Sequence, residues 1–316
     1  MSLSAILLVL LSAVCHSAWN LLAKASGGPI AFMRQALRFS ALCYAPVFLV
    51  FLFLIDYSPT YLACILASGA AVGLFLFCLS KAYQYGQVSV AYPIARSFPI
   101  LVVTWVLFLW GVTPSAVGLA GILLVVAGCF VLPMGCFSLG PDGFSPGNYL
   151  NRSCLWALLA AVATSVFSVI DKYAAVNMPI APVDLAVYYR INYVYLQNLV
   201  ALGVVEVCTL HLRQPYPAAH RSRALFAGLI FLVSYSLIVL ALTTDPVAYV
   251  VSFRQVSILI TALVSMFWIE RRVSRPRLVG VALIFVGVVM VGPVSYTHLR
   301  AHETVLDLVC RLLLEK

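Results

Sequence analysis

The sequence predicts an all-α integral membrane protein, with ten transmembrane helices built as two five-helix repeats of inverted topology. Three observations predict it. The 316-residue chain is 64% hydrophobic and 9% charged, whereas soluble globular proteins run at about 45–50% apolar and about 25% charged. Apolar stretches of about 20 residues, the length that crosses a roughly 30 Å hydrocarbon core, follow one another along the chain. The second half also repeats the polar and glycine pattern of the first.

The spans read from these stretches are 3–23, 36–55, 61–80, 88–110, 114–133, 153–173, 185–208, 223–243, 246–268 and 277–293. The first is a retained helix rather than a signal peptide. It has no basic segment before its apolar run, and it carries His16, Trp19, Asn20 and Lys24 where a cleavage site needs small residues. Span three holds a Gly69/Gly73 pair, and spans five and ten hold Gly121/Gly128 and Gly280/Gly287, which let helices approach closely. Span seven is the most polar. Its outer tyrosines read as interfacial anchors, while Arg190 and Asn192 sit deeper and read as cavity residues.

The repeat is visible residue by residue. AVCHSAWNLLAK (13–24) in the first span parallels AVATSVFSVIDK (161–172) in the sixth, 148 residues later. His16, Asn20 and Lys24 recur at i, i+4 and i+8, one helical face, and Thr164, Ser168 and Lys172 keep that polar face. Gly121 and Gly128 correspond to Gly280 and Gly287 at an offset of 159. Five helices per half is an odd number, so the second half enters the membrane inverted, a build whose binding sites lie near the midplane between repeats. The halves are 1–135 and 153–294, joined by a linker at 136–152. The segment 295–316 changes character and holds three of the ten acidic residues. It resembles translated sequencing-adapter read-through and is read as foreign to the fold, so its His298 and His302 are given no role.

The net charge of +9 does not indicate a nucleic-acid partner, because Lys and Arg are scattered between apolar segments. Most of them flank odd-numbered connections, which by the positive-inside rule places those connections in the cytoplasm and both termini outside. The nine cysteines show no CxxC spacing, so neither a disulfide framework nor a metal site is expected. No Walker motif, no Ser-His-Asp set and no cofactor signature is present. The sequence carries no signal of oligomeric state.

Arg96 in the fourth span and Arg254 in the ninth lie at matching places in the two halves, 158 residues apart. A charge at bilayer depth costs at least about 2.5 kcal/mol. Pro93 and Pro99 bracket Arg96, and each frees backbone carbonyls one turn back. Arg96 therefore either pairs with those carbonyls and locks packing, or presents its fork to an anionic group. Tyr92 shares its face as an aromatic wall, and Ser257 and Thr261 share the face of Arg254. Trp19 either stacks on a ligand or faces lipid. Lys24 and Lys172 either touch substrate or snorkel to the headgroups, and Asp171 neutralises its neighbour Lys172.

HSAWNLLAK (16–24), VAYPIARSFPIL (90–101) and FRQVSILITALVSMFWIE (253–270) resemble the drug/metabolite transporter superfamily, and within it the EamA-type ten-helix exporters with two tandem domains. The resemblance covers about residues 3–293. It implies that Glu270 is the acidic residue ending the fourth helix of a repeat; the first half has Trp110-Gly111-Val112 and no carboxylate there. It also implies cytoplasmic termini, against the charge count. The expected function is a secondary active transporter or exporter of a small organic metabolite, an anionic one if the arginines bind it. It would work by alternating access in the cell membrane, of bacterial inner-membrane type, with the lipid bilayer and a small-molecule substrate as partners and no cofactor. The expected substrate-binding set is Arg96, Arg254, Tyr92, His16, Asn20, Trp19, Lys24, Lys172, Arg190, Asn192 and Ser257. Two rivals are a membrane-embedded enzyme acting on phosphorylated or lipid-linked substrates, and a non-transporting membrane protein. An enzyme would need an acid, base or nucleophile beside the arginines. Asp171, Glu206, Asp245 and Glu270 lie near span ends, and none pairs with a histidine in the sequence.

Overall fold

A computed structural model describes residues 3–51, 53, 55, 57–96, 116–138, 143–177, 183–210, 221–244, 256–271 and 273–290. Arg254, Pro99 and the 295–316 tail lie outside the described residues, as does the side chain of Lys172. The helices are α1 (Leu3–Ala25), α2 (Pro29–Phe51), α3 (Pro59–Tyr85), α4 (88–96), α5 (Ala116–Val131), α6 (Arg152–Asn177), α7 (Val183–Cys208), α8 (Arg221–Thr244), α9 (Val256–Val264) and α10 (275–290). A single helical turn, Pro146–Tyr149, precedes α6.

Local chemistry sets several of the ends. Ser58 caps α3 by accepting the Tyr61 N–H at 3.2 Å, with Pro59 in the first turn, where its missing N–H costs nothing. After α1 the chain turns at Gly27, whose φ of 69° suits glycine. Helix α2 starts seven residues before the expected span, at Pro29, and so adds Arg34 to it. Hydropathy excludes arginines from an apolar window, but helix propensity does not exclude them from a helix. Helix α9 runs into a π-turn, Ser265–Ile269, closed by the Glu270 N–H on the Ser265 carbonyl at 2.7 Å.

Among the described residues, five segments are long and apolar enough to cross a membrane: Ile6–Ala25, Pro59–Tyr85, Arg152–Asp171, Tyr188–Cys208 and Arg221–Ile238. Their surfaces are inverted relative to a soluble protein. On α1, Leu7, Leu11 and Val14 are exposed while Ser12, Ser17 and Asn20 are buried. On α6, Leu155, Leu159, Val162, Val166 and Val169 form an exposed stripe while Thr164 and Ser165 face inward. Apolar outside and polar inside suits lipid as the surrounding solvent.

Helix α1 packs on α8, and α3 packs on α6 and α7. Helix α2 packs on α7 and α8. These pairings map onto one another when each helix is exchanged for the one five places along: α1·α8 becomes α6·α3, α2·α8 becomes α7·α3, and α2·α7 becomes itself. Helices α5 and α10 meet through glycine. A Cβ on Gly128 would come within 2.8 Å of the Gly280 carbonyl, and one on Gly287 within 2.5 Å of the Gly121 carbonyl. The main core draws on both halves, with Trp19, Phe32, Leu76 and Tyr92 packed with Ala160, Ala227, Ile258 and Ile284.

Candidate functional site

The polar face of α1 points into this core. Asn20 is fully buried; its amide donates to the His16 carbonyl at 2.6 Å, and its Oδ1 accepts the Tyr83 hydroxyl at 2.6 Å. His16 and Trp19 meet edge to face at 5.0 Å, and Trp19 meets Phe231 of α8 at 5.3 Å. Beside them lies a cavity of about 50 Å³. From the first half it takes His16, Trp19, Phe75 and Arg96. From the second it takes Phe167, Gln197, Asn198, Phe231 and Tyr235. A volume of this size holds a few waters, far below the roughly 300 Å³ of even a small ligand pocket.

Arg96 closes the described part of α4 and is 7% exposed. Its Nε has no hydrogen-bond partner among the described residues. Trp19 Nε1 and Asn198 Oδ1 are likewise unpartnered there. Residues of the cavity wall thus hold two buried N–H donors and one buried acceptor, each costing about 1–3 kcal/mol until satisfied. A carboxylate or phosphoryl group would satisfy the donors.

The remaining expected site residues are spread more widely. Tyr92 and Ser257 are fully buried behind Arg96, their hydroxyls 3.2 Å apart. Lys24 is partly buried at the far end of α1, donating to the carbonyls of Tyr83, at 2.7 Å, and Gly86 at the C-terminus of α3. A cation suits the negative end of a helix dipole. Asn192 bonds the hydroxyls of Tyr57 and Tyr61, both at 3.2 Å, within a separate tyrosine cluster. Arg190 is half-buried on α7. None of Lys24, Arg190, Asn192, Tyr92 and Ser257 lines the cavity.

The tyrosines of α7 differ from the expected interfacial belt. Tyr189, Tyr193 and Tyr195 are buried, and only Tyr188 is exposed. Tyr193 and Tyr195 spend their hydroxyls on Asp171 and on the Ala41 carbonyl, because a polar tip buried in a helix bundle needs a protein partner.

Asp171, which the sequence offers only as a span-end acid beside Lys172, takes a place that spacing does not reveal. Its Oδ1 accepts from Ser68 of α3 at 2.5 Å, Tyr193 at 2.8 Å and Gln197 at 3.0 Å. Its Oδ2 accepts from Tyr235 of α8 at 3.1 Å, with Gln197 again at 3.3 Å. Gln197 and Tyr235 line the cavity, so this carboxylate lies directly behind its wall. Glu270 serves a different purpose. The π-turn brings it onto the Ser265 hydroxyl at 2.8 Å, and it accepts both the N–H (3.2 Å) and the hydroxyl of Ser89, capping α4 from the opposite half. No metal-binding group of His, Cys, Asp and Glu occurs among the described residues, and the described cysteines are free.

No protein-family model matches the chain. No curated protein matches it either. Among 21 solved chains that do match, a crystal structure described without a function superposes with a TM-score of 0.59. It is 18% identical, and the match covers 92% of this chain and 96% of that one. At this identity the likeness shows a shared fold across nearly the whole length.

Proposed function

We propose that the protein is a secondary active transporter of a small anionic organic metabolite, working by alternating access between two inverted five-helix repeats. It would be a ten-helix, EamA-type member of the drug/metabolite transporter superfamily, in the cell membrane. The observation that carries this reading is the cavity between the halves, where Arg96 Nε and Trp19 Nε1 are buried donors without an acceptor among the described residues. The exchange symmetry of the helix pairs supports an inverted repeat, the build in which such a cavity opens to each side in turn. The small volume corresponds to a closed intermediate of that cycle.

In the cycle, the fork of Arg96 holds the anionic group, and Trp19 and Phe231 present an aromatic wall to its organic part. Arg254, which lies outside the described residues, is the pseudo-symmetric second arginine. The ion pair of Arg38 with Glu206 (Nε to Oε1 2.6 Å, Nη2 to Oε2 2.8 Å) and the Glu270–Ser89 link cross between the halves, and both must part when the cavity opens on their side. Counterflow in proteoliposomes against a metabolite library tests the reading. The expected result is saturable exchange of a carboxylated or phosphorylated solute. Exchange of no solute class contradicts it.

A further inference from the structure

We infer that Asp171 and its hydroxyl cage form a reversible proton-binding site that couples proton movement to the anion site at Arg96. The inference rests on the transport reading for its purpose, but not for its chemistry. Asp171 sits on α6 beneath the cavity wall and has no ion-pair partner among the described residues. An ionised carboxylate kept from water without a cation is costly, and the cheapest neutralising partner is a proton.

The cage suits both protonation states. Three of its donors, Ser68, Tyr193 and Tyr235, are hydroxyls, which can donate to a carboxylate or turn and accept from a carboxyl. Ser68 already accepts from Gln197 at 2.6 Å, so the ring is joined sideways as well as to the acid. The two oxygens are unequal. Oδ1 takes three close donors, whereas Oδ2 takes Tyr235 at 3.1 Å and a longer contact from Gln197. The geometry therefore points to Oδ2 as the proton's seat, with Tyr235 reversing to accept. Tyr235 also lines the cavity, which gives water in the cavity a one-residue path to the acid.

Among the described residues, the other titratable groups facing Asp171 are Cys64 from α3, Tyr193 from α7 and Tyr235 from α8, none of them cationic. On its own helix Lys172 is adjacent in sequence, with its side chain outside the described set. His16 and Arg96 line the same cavity. Protonation deletes a negative charge behind a wall where Arg96 awaits an anion, so proton and anion assist one another's binding. That assistance is reciprocal by linkage.

The test is infrared difference spectroscopy of the full chain in lipid, titrated from about pH 5 to about pH 9. The wild type is expected to show a protonated-carboxyl band that comes and goes reversibly with pH, and Asp171→Asn is expected to lose it. Tyr235→Phe should keep the band and move its frequency, because the carboxyl loses its hydrogen-bond partner. This variant keeps the test decisive if Asp171→Asn does not fold. Two results overturn the site: no titrating band that either substitution alters, or an Asp171 band that persists unchanged at every pH. The band needs no transported solute, so its absence removes the proton site and leaves transport standing. Failed counterflow with the band intact does the reverse.

Discussion

Tyr92 and Ser257 meet hydroxyl to hydroxyl at 3.2 Å, fastening α4 of the first half to α9 of the second. The Ser257 carbonyl also accepts the Ser17 hydroxyl at 3.2 Å, so α1, α4 and α9 are tied at one residue. Tyr92 lies one turn before Arg96 and Ser257 three residues after Arg254 in the sequence.

That pair predicts a coupled stability effect. Tyr92→Phe or Ser257→Ala alone leaves the opposite hydroxyl buried without its partner and should cost about 1–3 kcal/mol. The double variant should cost less than the sum of the two, because no stranded hydroxyl remains. Melting of purified protein in detergent measures the cycle. Additive losses would show that the contact is not a working hydrogen bond.

Helix approach predicts opposite outcomes at two glycines. A Cβ on Gly73 would come within 2.7 Å of Val204 Cβ and 2.8 Å of the Ala201 carbonyl, so Gly73→Ala must push α3 from α7 and should cost about 1–3 kcal/mol. Gly203, on α7, has nothing within 4 Å of its Cβ position. Gly203→Ala should therefore stabilise the helix by about 0.5–1 kcal/mol. The same melting assay compares the two, and a destabilising Gly203→Ala would contradict the packing.

The Arg38–Glu206 pair predicts little for stability. Its side chains are 46% and 30% exposed, so solvent screening holds the coupling to about 1 kcal/mol or less despite bidentate geometry. A double-mutant cycle with Arg38→Gln and Glu206→Gln reads it. A coupling several times larger would place the pair in a dry environment rather than a wet one.

Much of the helix framework was legible because hydropathy and residue period are local. The expected spans overlap α1, α3, α5, α6, α7 and α8 within a few residues at most ends. The glycine correspondence was legible too, and Gly121, Gly128, Gly280 and Gly287 do meet across α5 and α10. Arg96, which is buried beside the cavity, stood out because an unmatched charge in an apolar run is visible without a structure.

Asp171 was named only as a span-end acid beside Lys172, and its place behind the cavity wall was not legible, for a physical reason. Its described donors come from three other helices, at residues 68, 193, 197 and 235. No spacing rule joins those positions; only packing does. Asn192 was misplaced in a similar way: its depth in span seven suggested the cavity, but depth along a helix does not set which side faces inward.

Counterflow by Arg96 variants in proteoliposomes tests the proposal that Arg96 binds the anionic group of a transported solute. Arg96→Lys keeps the charge but loses the fork, and Arg96→Ala loses both, so exchange should fall in that order at equal reconstitution. With a charge-assisted hydrogen bond at about 1.5–3 kcal/mol, the Ala variant should lose about tenfold or more while its detergent melting profile stays cooperative. Normal exchange by Arg96→Ala would show that the anionic group binds elsewhere.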